Sequence, residues 1–223
     1  INKEYIRICY LIFALIVLQG VIGWYMVESG LVNNITVSHY RLSIHLFTAI
    51  LIISTIFWLI NNIISKQNKN FFKLSRNNFP FQIFILLIFI QIIIGAFVSG
   101  LDAGRIYQTW PMMNETYFPS DLFYSNFDDI FKFDNHSIIQ FYHRNLAYII
   151  LFYALFLIIF IYKNKIFNLY KSINILFFIL FSQIALGIFT LVSGLNIFLA
   201  SLHQITSVLL VLSAINLYYL RVK

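Results

Sequence analysis

His45, His143 and His203 each stand a short way inside a long run of apolar side chains. Carrying an ionisable ring into hydrocarbon is costly, so such residues mark ligand sites, proton paths or cross-helix hydrogen bonds. His143, in 138-IIQFYHRNLAYIIL-151, and His203, in 200-ASLHQITSVLLVL-212, enter at matched depth. About five residues of helix at 1.5 Å each place both rings roughly 8 Å below the mouth of their segments. Two neutral imidazoles at one depth on different helices can approach an iron from opposite sides, with apolar walls for a macrocycle. That is the arrangement of a bis-histidine haem. The plainer alternative is that each ring only bonds to a neighbouring helix near the interface. His45, in 40-YRLSIHLFTAIL-51, lies at a similar depth without a facing partner and by itself is half of such a site.

Arg41 and Arg144 stand near the outer ends of their runs. From there a guanidinium can anchor at the interface, pair with a loop acid, or grip a carboxylate such as a haem propionate in a bidentate fork. His39 and His136 stand at the outer edge and read as interfacial, and Glu28 and Asp102 read as solvated loop acids. Zinc fits the set poorly, because no HxxxH or carboxylate–histidine cluster falls on one helix and a tetrahedral site needs several converging ligands. Cys9 is the only cysteine, which excludes an intrachain disulfide and thiolate cluster chemistry.

The elements that must carry these residues follow from composition. Of 223 residues, 61% are hydrophobic and 10% charged, which belongs to an integral membrane protein. About twenty apolar residues cross roughly 30 Å of hydrocarbon as helix. The pattern predicts six spans: Tyr5–Val27, Tyr40–Ile60, Pro80–Val98, Ile138–Tyr162, Ile173–Val192 and Phe198–Leu220. They lack the polar–apolar alternation of barrel strands, so the expected fold is an all-α integral membrane protein with six transmembrane helices. Lys66, Lys69, Lys73, Arg76, Lys163, Lys165 and Lys171 fall in the second-to-third and fourth-to-fifth connections, while six acids crowd the segment Ser99–Ser137. The positive-inside rule then puts both termini in the cytoplasm, in a bacterial inner membrane, and the acidic segment outside. The net charge of +7 is thus a topology signal and a contact with the lipid bilayer, not a surface for nucleic acid. The outer stretch 101-LDAGRIYQTWPMMNETYFPSDLF-123 is too apolar for a linker and too broken for a span. It is expected to fold over the outer mouth as a cap, with Trp110 and Tyr107 at headgroup level. No cleavable leader is visible before the first span.

The spans also repeat. The texts 18-LQGVIGWYMVESGL-31, 90-IQIIIGAFVSGLDAG-104 and 182-SQIALGIFTLVSGLN-196 each place a glutamine four residues before a glycine, as Gln19/Gly23, Gln91/Gly95 and Gln183/Gly187. One turn apart, the two share a face, where the glycine admits a neighbouring helix or a flat ligand and the amide can bond across the bundle. The next span brings in its histidine soon after the outer loop. Three such hairpins do not divide into paired halves, and the middle copy alone has a long loop. An alternating array lacking its first hairpin would look like this. The expected organisation is a second hairpin of an incomplete N-terminal bundle at 1–62, a cytoplasmic loop at 63–79, and a C-terminal four-helix haem-binding bundle at 80–223 with its long outer loop at 99–137.

Six stretches in order, QGVIGWYMVESGL with VSHYRLSIHLFTA (19–31 and 37–49), GAFVSGLDAGRIYQTWPMM (95–113), QFYHRNLAY (140–148), and QIALGIFTL with LASLHQ (183–191 and 199–204), resemble the haem A synthase family in its alphaproteobacterial and mitochondrial branch. The resemblance implies an eight-helix membrane enzyme of two four-helix bundles. Such enzymes oxidise the C8 methyl of haem O to the formyl of haem A by successive hydroxylations, for cytochrome oxidase assembly. It implies haem b as cofactor, haem O as substrate, an electron donor protein, and haem O synthase as a neighbour, and leaves a homo-oligomer open. By resemblance His143 and His203 are the axial pair of haem b, with Arg144 and Arg41 as cofactor-binding candidates, and His45 belongs to the substrate haem site. Against the family pattern, the first two transmembrane helices are expected to be lacking, along with a glutamate carried there. Gln140, one turn ahead of His143, cannot replace that carboxylate as acid or base, and paired outer-loop cysteines are absent. The chain alone is therefore expected to bind one haem without oxidising haem O. The alternatives are a membrane cytochrome b-like electron-transfer subunit, and a transporter or assembly scaffold.

Overall fold

The fold follows from where apolar helices must start and stop. A computed structural model of the chain describes residues 3–30, 36–73, 75–122 and 131–222. Its long helices are α1 (Lys3–Glu28), α2 (His39–Ser65), α3 (Phe79–Gly100), α4 (His136–Lys163), α5 (Tyr170–Val192) and α6 (Ile197–Arg221). All six are long and apolar enough to cross a membrane. Each extends a little beyond the span expected for it, because helical hydrogen bonding continues past the hydrocarbon edge. Two starts are sharply capped. The Asn135 side chain accepts from the backbone N–H groups of Ser137 and Ile138, and that of Asn196 from Phe198 and Leu199. A side-chain oxygen there satisfies donors that the first turn leaves free, so the caps set the depth at which His143 and His203 enter.

α1 packs along α2, and α2 against α3 and α6; α3, α4, α5 and α6 contact one another in turn, and α6 also meets α3. The densest packing lies toward the end of the basic loops. In α4, Ile150, Ala154, Leu157 and Ile161 recur at helical spacing on one buried face, and they meet Phe84 and Ile88 of α3, Ile173 and Leu176 of α5, and Ala214 and Ile215 of α6 in one cluster. On the opposite face of α4, Phe152 and Ile159 are exposed, as lipid-facing residues of a membrane helix are. The loop after α2 is tied to this end: Trp58 Nε1 donates to Lys69 O at 3.0 Å and Tyr218 Oη to Phe71 O at 2.7 Å.

The expectation that the first two transmembrane helices are lacking is corrected by the structure. All six membrane-length helices stand in the chain, and the first is no orphan. The Tyr5 hydroxyl bonds to the carbonyls of Asn62 and Gln67 at 3.4 and 3.3 Å, and at the other end Arg41 Nη1 donates to Tyr25 O at 2.7 Å. Each histidine is held by its own hairpin, His45 by Gln19 and Gly23 of α1.

Candidate functional site

The same three-part clamp forms in every hairpin. In the first, Gln19 Nε2 stands 3.2 Å from His45 Nε2 and donates to His45 O at 3.0 Å. In the second, Gln91 Nε2 stands 3.4 Å from His143 Nε2 and donates to His143 O at 2.9 Å. A carbonyl can only accept, so the N–H end of each amide faces the ring, and the ring nitrogen it meets must be the acceptor. The neutral ring then carries its proton on Nδ1 and its lone pair on Nε2. The third clamp reaches the same tautomer by another route. Gln183 Nε2 stands 3.4 Å from His203 Nε2, Gln183 Oε1 accepts from the Thr206 hydroxyl, and His203 Nδ1 donates to Gln183 O at 3.1 Å.

The glycines are required by close approach. A Cβ on Gly23 would lie 3.0 Å from His45 Cε1, one on Gly95 3.0 Å from His143 Cε1, and one on Gly187 2.9 Å from His203 Cε1. Any side chain there would push the ring out of the clamp. The sequence marked glycine and amide as a shared face without showing that the face receives the histidine of the same hairpin. Thr206 carried no signal beyond its place three residues after His203.

Satisfaction differs between copies. Nδ1 of His45 and His143 and Oε1 of Gln19 and Gln91 are buried without a hydrogen-bond partner, a costly state that calls for an explanation. α4 and α6, which carry His143 and His203, both pack against α3 and α5. His45 is turned to α1 at Gly23. His45 and Arg41 stay in the first hairpin, where the Arg41 guanidinium lies 3.7 Å over the Tyr25 ring.

Around His143 and His203 the helices do not close. Among residues 141–149, 181–192 and 197–209 no side chain is buried, and in α3 beyond Ile88 only Ala96 is. His143 itself retains accessible surface. Among the described residues no three histidine, cysteine or carboxylate side chains converge.

Above this space the outer segment is ordered over residues 101–122, while 123–130 lie outside the described residues. Arg144 Nη2 and Gln140 Nε2 both donate to Tyr107 O, at 2.9 and 2.8 Å, and Arg144 Nη1 donates to Met112 O at 3.3 Å. Arg144 Nε stays buried without a partner. Tyr107 is buried rather than at headgroup level, because its hydroxyl reaches Asp121 Oδ1 at 2.5 Å while Ser137 Oγ donates to Asp121 Oδ2 at 2.7 Å. Burial, and then the bond to Asp121, push the Tyr107 phenol above its ordinary value. Trp110 stays half-exposed at the rim, its Nε1 donating to Tyr148 Oη at 3.0 Å. His39 Nε2 stands 3.2 Å from exposed Asp134.

Six apolar helices carrying three glutamine–histidine–glycine clamps beneath an ordered cap define a multi-pass membrane protein that holds neutral imidazoles at bilayer depth. The pattern of the cytochrome oxidase assembly protein family matches residues 1–215, and the chain belongs to that family. It is similar to the haem A synthase of Pelagibacter ubique (strain HTCC1062), 48% identical over 213 residues, covering 94% of this chain and 61% of the relative. It is also similar to that of Rickettsia africae (strain ESF-5), 36% identical over 208 residues, covering 91% and 60%. The haem A synthase of the Wolbachia of Brugia malayi (strain TRS) is 43% identical over 136 residues, covering 60% and 41%. The chain spans about six-tenths of the length of the first of these relatives.

Proposed function

We propose that this chain is a haem A synthase of a bacterial inner membrane, with haem b as cofactor between His143 and His203 and haem O as substrate, oxidised at the C8 methyl to the formyl of haem A. The single observation that carries the reading is the clamp around both histidines, which keeps Nε2 the unprotonated ring nitrogen; iron binding would require that lone pair to be released by the glutamine amide that now engages it. The residues fit the group: two nitrogen donors on separate helices, glycines that let each ring lie close against the preceding helix of its hairpin, and, among the described residues, no cluster of three ligands to suggest a tetrahedral ion. When bound, haem b would supply one-electron transfer.

This chain's own residues do the positioning. Gln91 and Gln183 hold the rings in the tautomer with the lone pair on Nε2. Arg144 and Gln140 pin the cap over the outer mouth and keep water from the space beneath, and Arg144 Nε remains as a donor for a propionate. His45 and Arg41 belong to the substrate side, in a hairpin at 1–62 joined by a cytoplasmic loop at 63–79 to a four-helix bundle at 80–223 with its outer loop at 99–137. The distribution of basic residues supports cytoplasmic termini. An electron donor protein and haem O synthase are the partners this activity calls for.

The test uses the full-length protein reconstituted with haem. A low-spin bis-histidine spectrum is expected, and His143→Ala or His203→Ala should abolish it. Retention of that spectrum in both variants would overturn the axial assignment. Conversion of haem O to hydroxymethyl and formyl haem with an electron donor separates the synthase from a cytochrome b-like electron carrier, which would leave haem O unchanged.

A further inference from the structure

A second concavity lies at the opposite end of the molecule from the histidines. It is a groove of about 990 Å³ where the ends of α2, α4 and α6 meet, lined by Gln67–Asn70 and Lys73, Asn164–Asn168, and Leu220–Val222. Four cations, Lys69, Lys73, Lys165 and Arg221, share this lining with no acid among them. Three helix C-termini point into the same region. Each carries roughly half a negative charge, so together they offset well under half of four full positive charges. Part of the cationic charge is already committed: Lys69 Nζ donates to Tyr219 O at 2.9 Å, and Arg221 Nε to Asn77 O at 3.4 Å. These acceptors are neutral carbonyls and do not balance charge. Burial alone holds the Lys69 ammonium below its ordinary value, with no carboxylate raising it.

The lining also tells an amphiphile from a free ion. Phe167 is 71% exposed at the groove, and Leu220 beside it is exposed as well. Four asparagines, Asn68, Asn70, Asn164 and Asn168, supply amide donors among the cations. An apolar wall next to cationic and amide donors at the end of membrane-spanning helices matches a molecule with acyl chains on one side and a phosphate on the other.

We propose that this groove binds the phosphodiester headgroup of an acidic phospholipid, with Lys69, Lys73, Lys165 and Arg221 around the phosphate and Phe167 against the acyl chains. The site is separate from the haem region and does not depend on the proposed activity.

The test is lipid retention by the full-length protein purified from nanodiscs of mixed phosphatidylglycerol and phosphatidylcholine, read by native mass spectrometry. The native protein should retain phosphatidylglycerol selectively, and Lys69→Gln with Lys165→Gln should reduce that retention several-fold. Lys163→Gln with Lys171→Gln removes the same charge from exposed positions at the same end but outside the groove, and should leave retention near native. If loss of Lys69 destabilises the fold, Lys73→Gln with Lys165→Gln serves in its place, both being exposed side chains. Equal losses from groove and control pairs would overturn the site in favour of diffuse attraction between a basic face and an anionic membrane. Binding of inorganic phosphate or glycerophosphate as tight as that of the lipid would overturn the lipid assignment.

Discussion

The two ends of α3, α4, α5 and α6 are built on different terms. Toward the basic loops Leu157, Ile161, Ile173 and Leu176 are wholly buried, each helix giving one face to a common cluster. Toward the cap, the same helices place glycine, glutamine and histidine where leucine and isoleucine would have closed the core, and beyond Ala96 and the first turn of α4, Ser137–Gln140, no side chain of theirs is buried. A protein that needed only rigidity would pack both halves, because every void forfeits dispersion contacts. One half therefore supplies most of the apolar packing, and the other is held by clamps and cap contacts that leave more of its helix surface uncovered.

Four changes would sharpen or break this contrast. The largest effect is expected from Gly187→Leu or Gly95→Leu, which puts a side chain where even a Cβ would stand 2.9 or 3.0 Å from the imidazole. Nearly complete loss of bound haem from the full-length protein is expected, with little change in its melting temperature measured without haem. Unchanged haem content would show that the rings act outside the clamp. Next, Leu157→Ala in the packed half should cost about 2–5 kcal/mol of stability, on the scale of large-to-small core changes, and leave the haem spectrum as it was. A spectral change of the size caused by the glycine variants would mean that the halves are not separate.

A smaller effect distinguishes the clamps from each other. Gln91→Leu removes the only hydrogen bond of the His143 ring, whereas after Gln183→Leu the His203 ring still donates to the residue 183 carbonyl. Nitrogen NMR of the haem-free protein should show mixed tautomers at His143 in the first variant and a preserved Nδ1–H form at His203 in the second, a bias of about 1 kcal/mol. Equal scrambling of both rings would contradict the assigned donors.

The smallest expected effect is at the cap. Because the Tyr107 phenol is held above its ordinary value of 10.0 in the folded state, the folded cap binds its proton more tightly than the unfolded chain does. Its contribution is fully present below pH 10 and is lost as pH rises through the folded value. Proteolysis of the 101–122 segment should therefore accelerate above pH 10. Tyr107→Phe should remove that dependence while costing about 1 kcal/mol at neutral pH. An unchanged alkaline acceleration in this variant would assign the titration to another group.

Much of this was legible in one dimension. Helical spans announce themselves because a membrane demands long apolar runs, and the six expected segments recur as α1 to α6 within a few residues at each end. The Gln–Gly spacing was visible too, since one helical turn puts both on one face. Its target was not, because which ring enters which groove depends on how two helices pack across a loop. The same blind spot left His45 looking unpartnered along the chain, yet Gln19 and Gly23 hold it. Arg144 looked like a free anchor, yet its guanidinium is tied to the carbonyls of Tyr107 and Met112, contacts between main chain and side chain that leave no mark in residue type.

The linear order of residues determined that this protein lives in a membrane as helices and that three histidines enter it at similar depths, because hydrocarbon thickness and helical rise admit few other solutions. Only the tertiary structure decided that each imidazole is gripped by its own hairpin, and that the helices carrying His143 and His203 both pack against α3 and α5. Those outcomes depend on distances between side chains far apart in the chain, set by packing rather than by spacing.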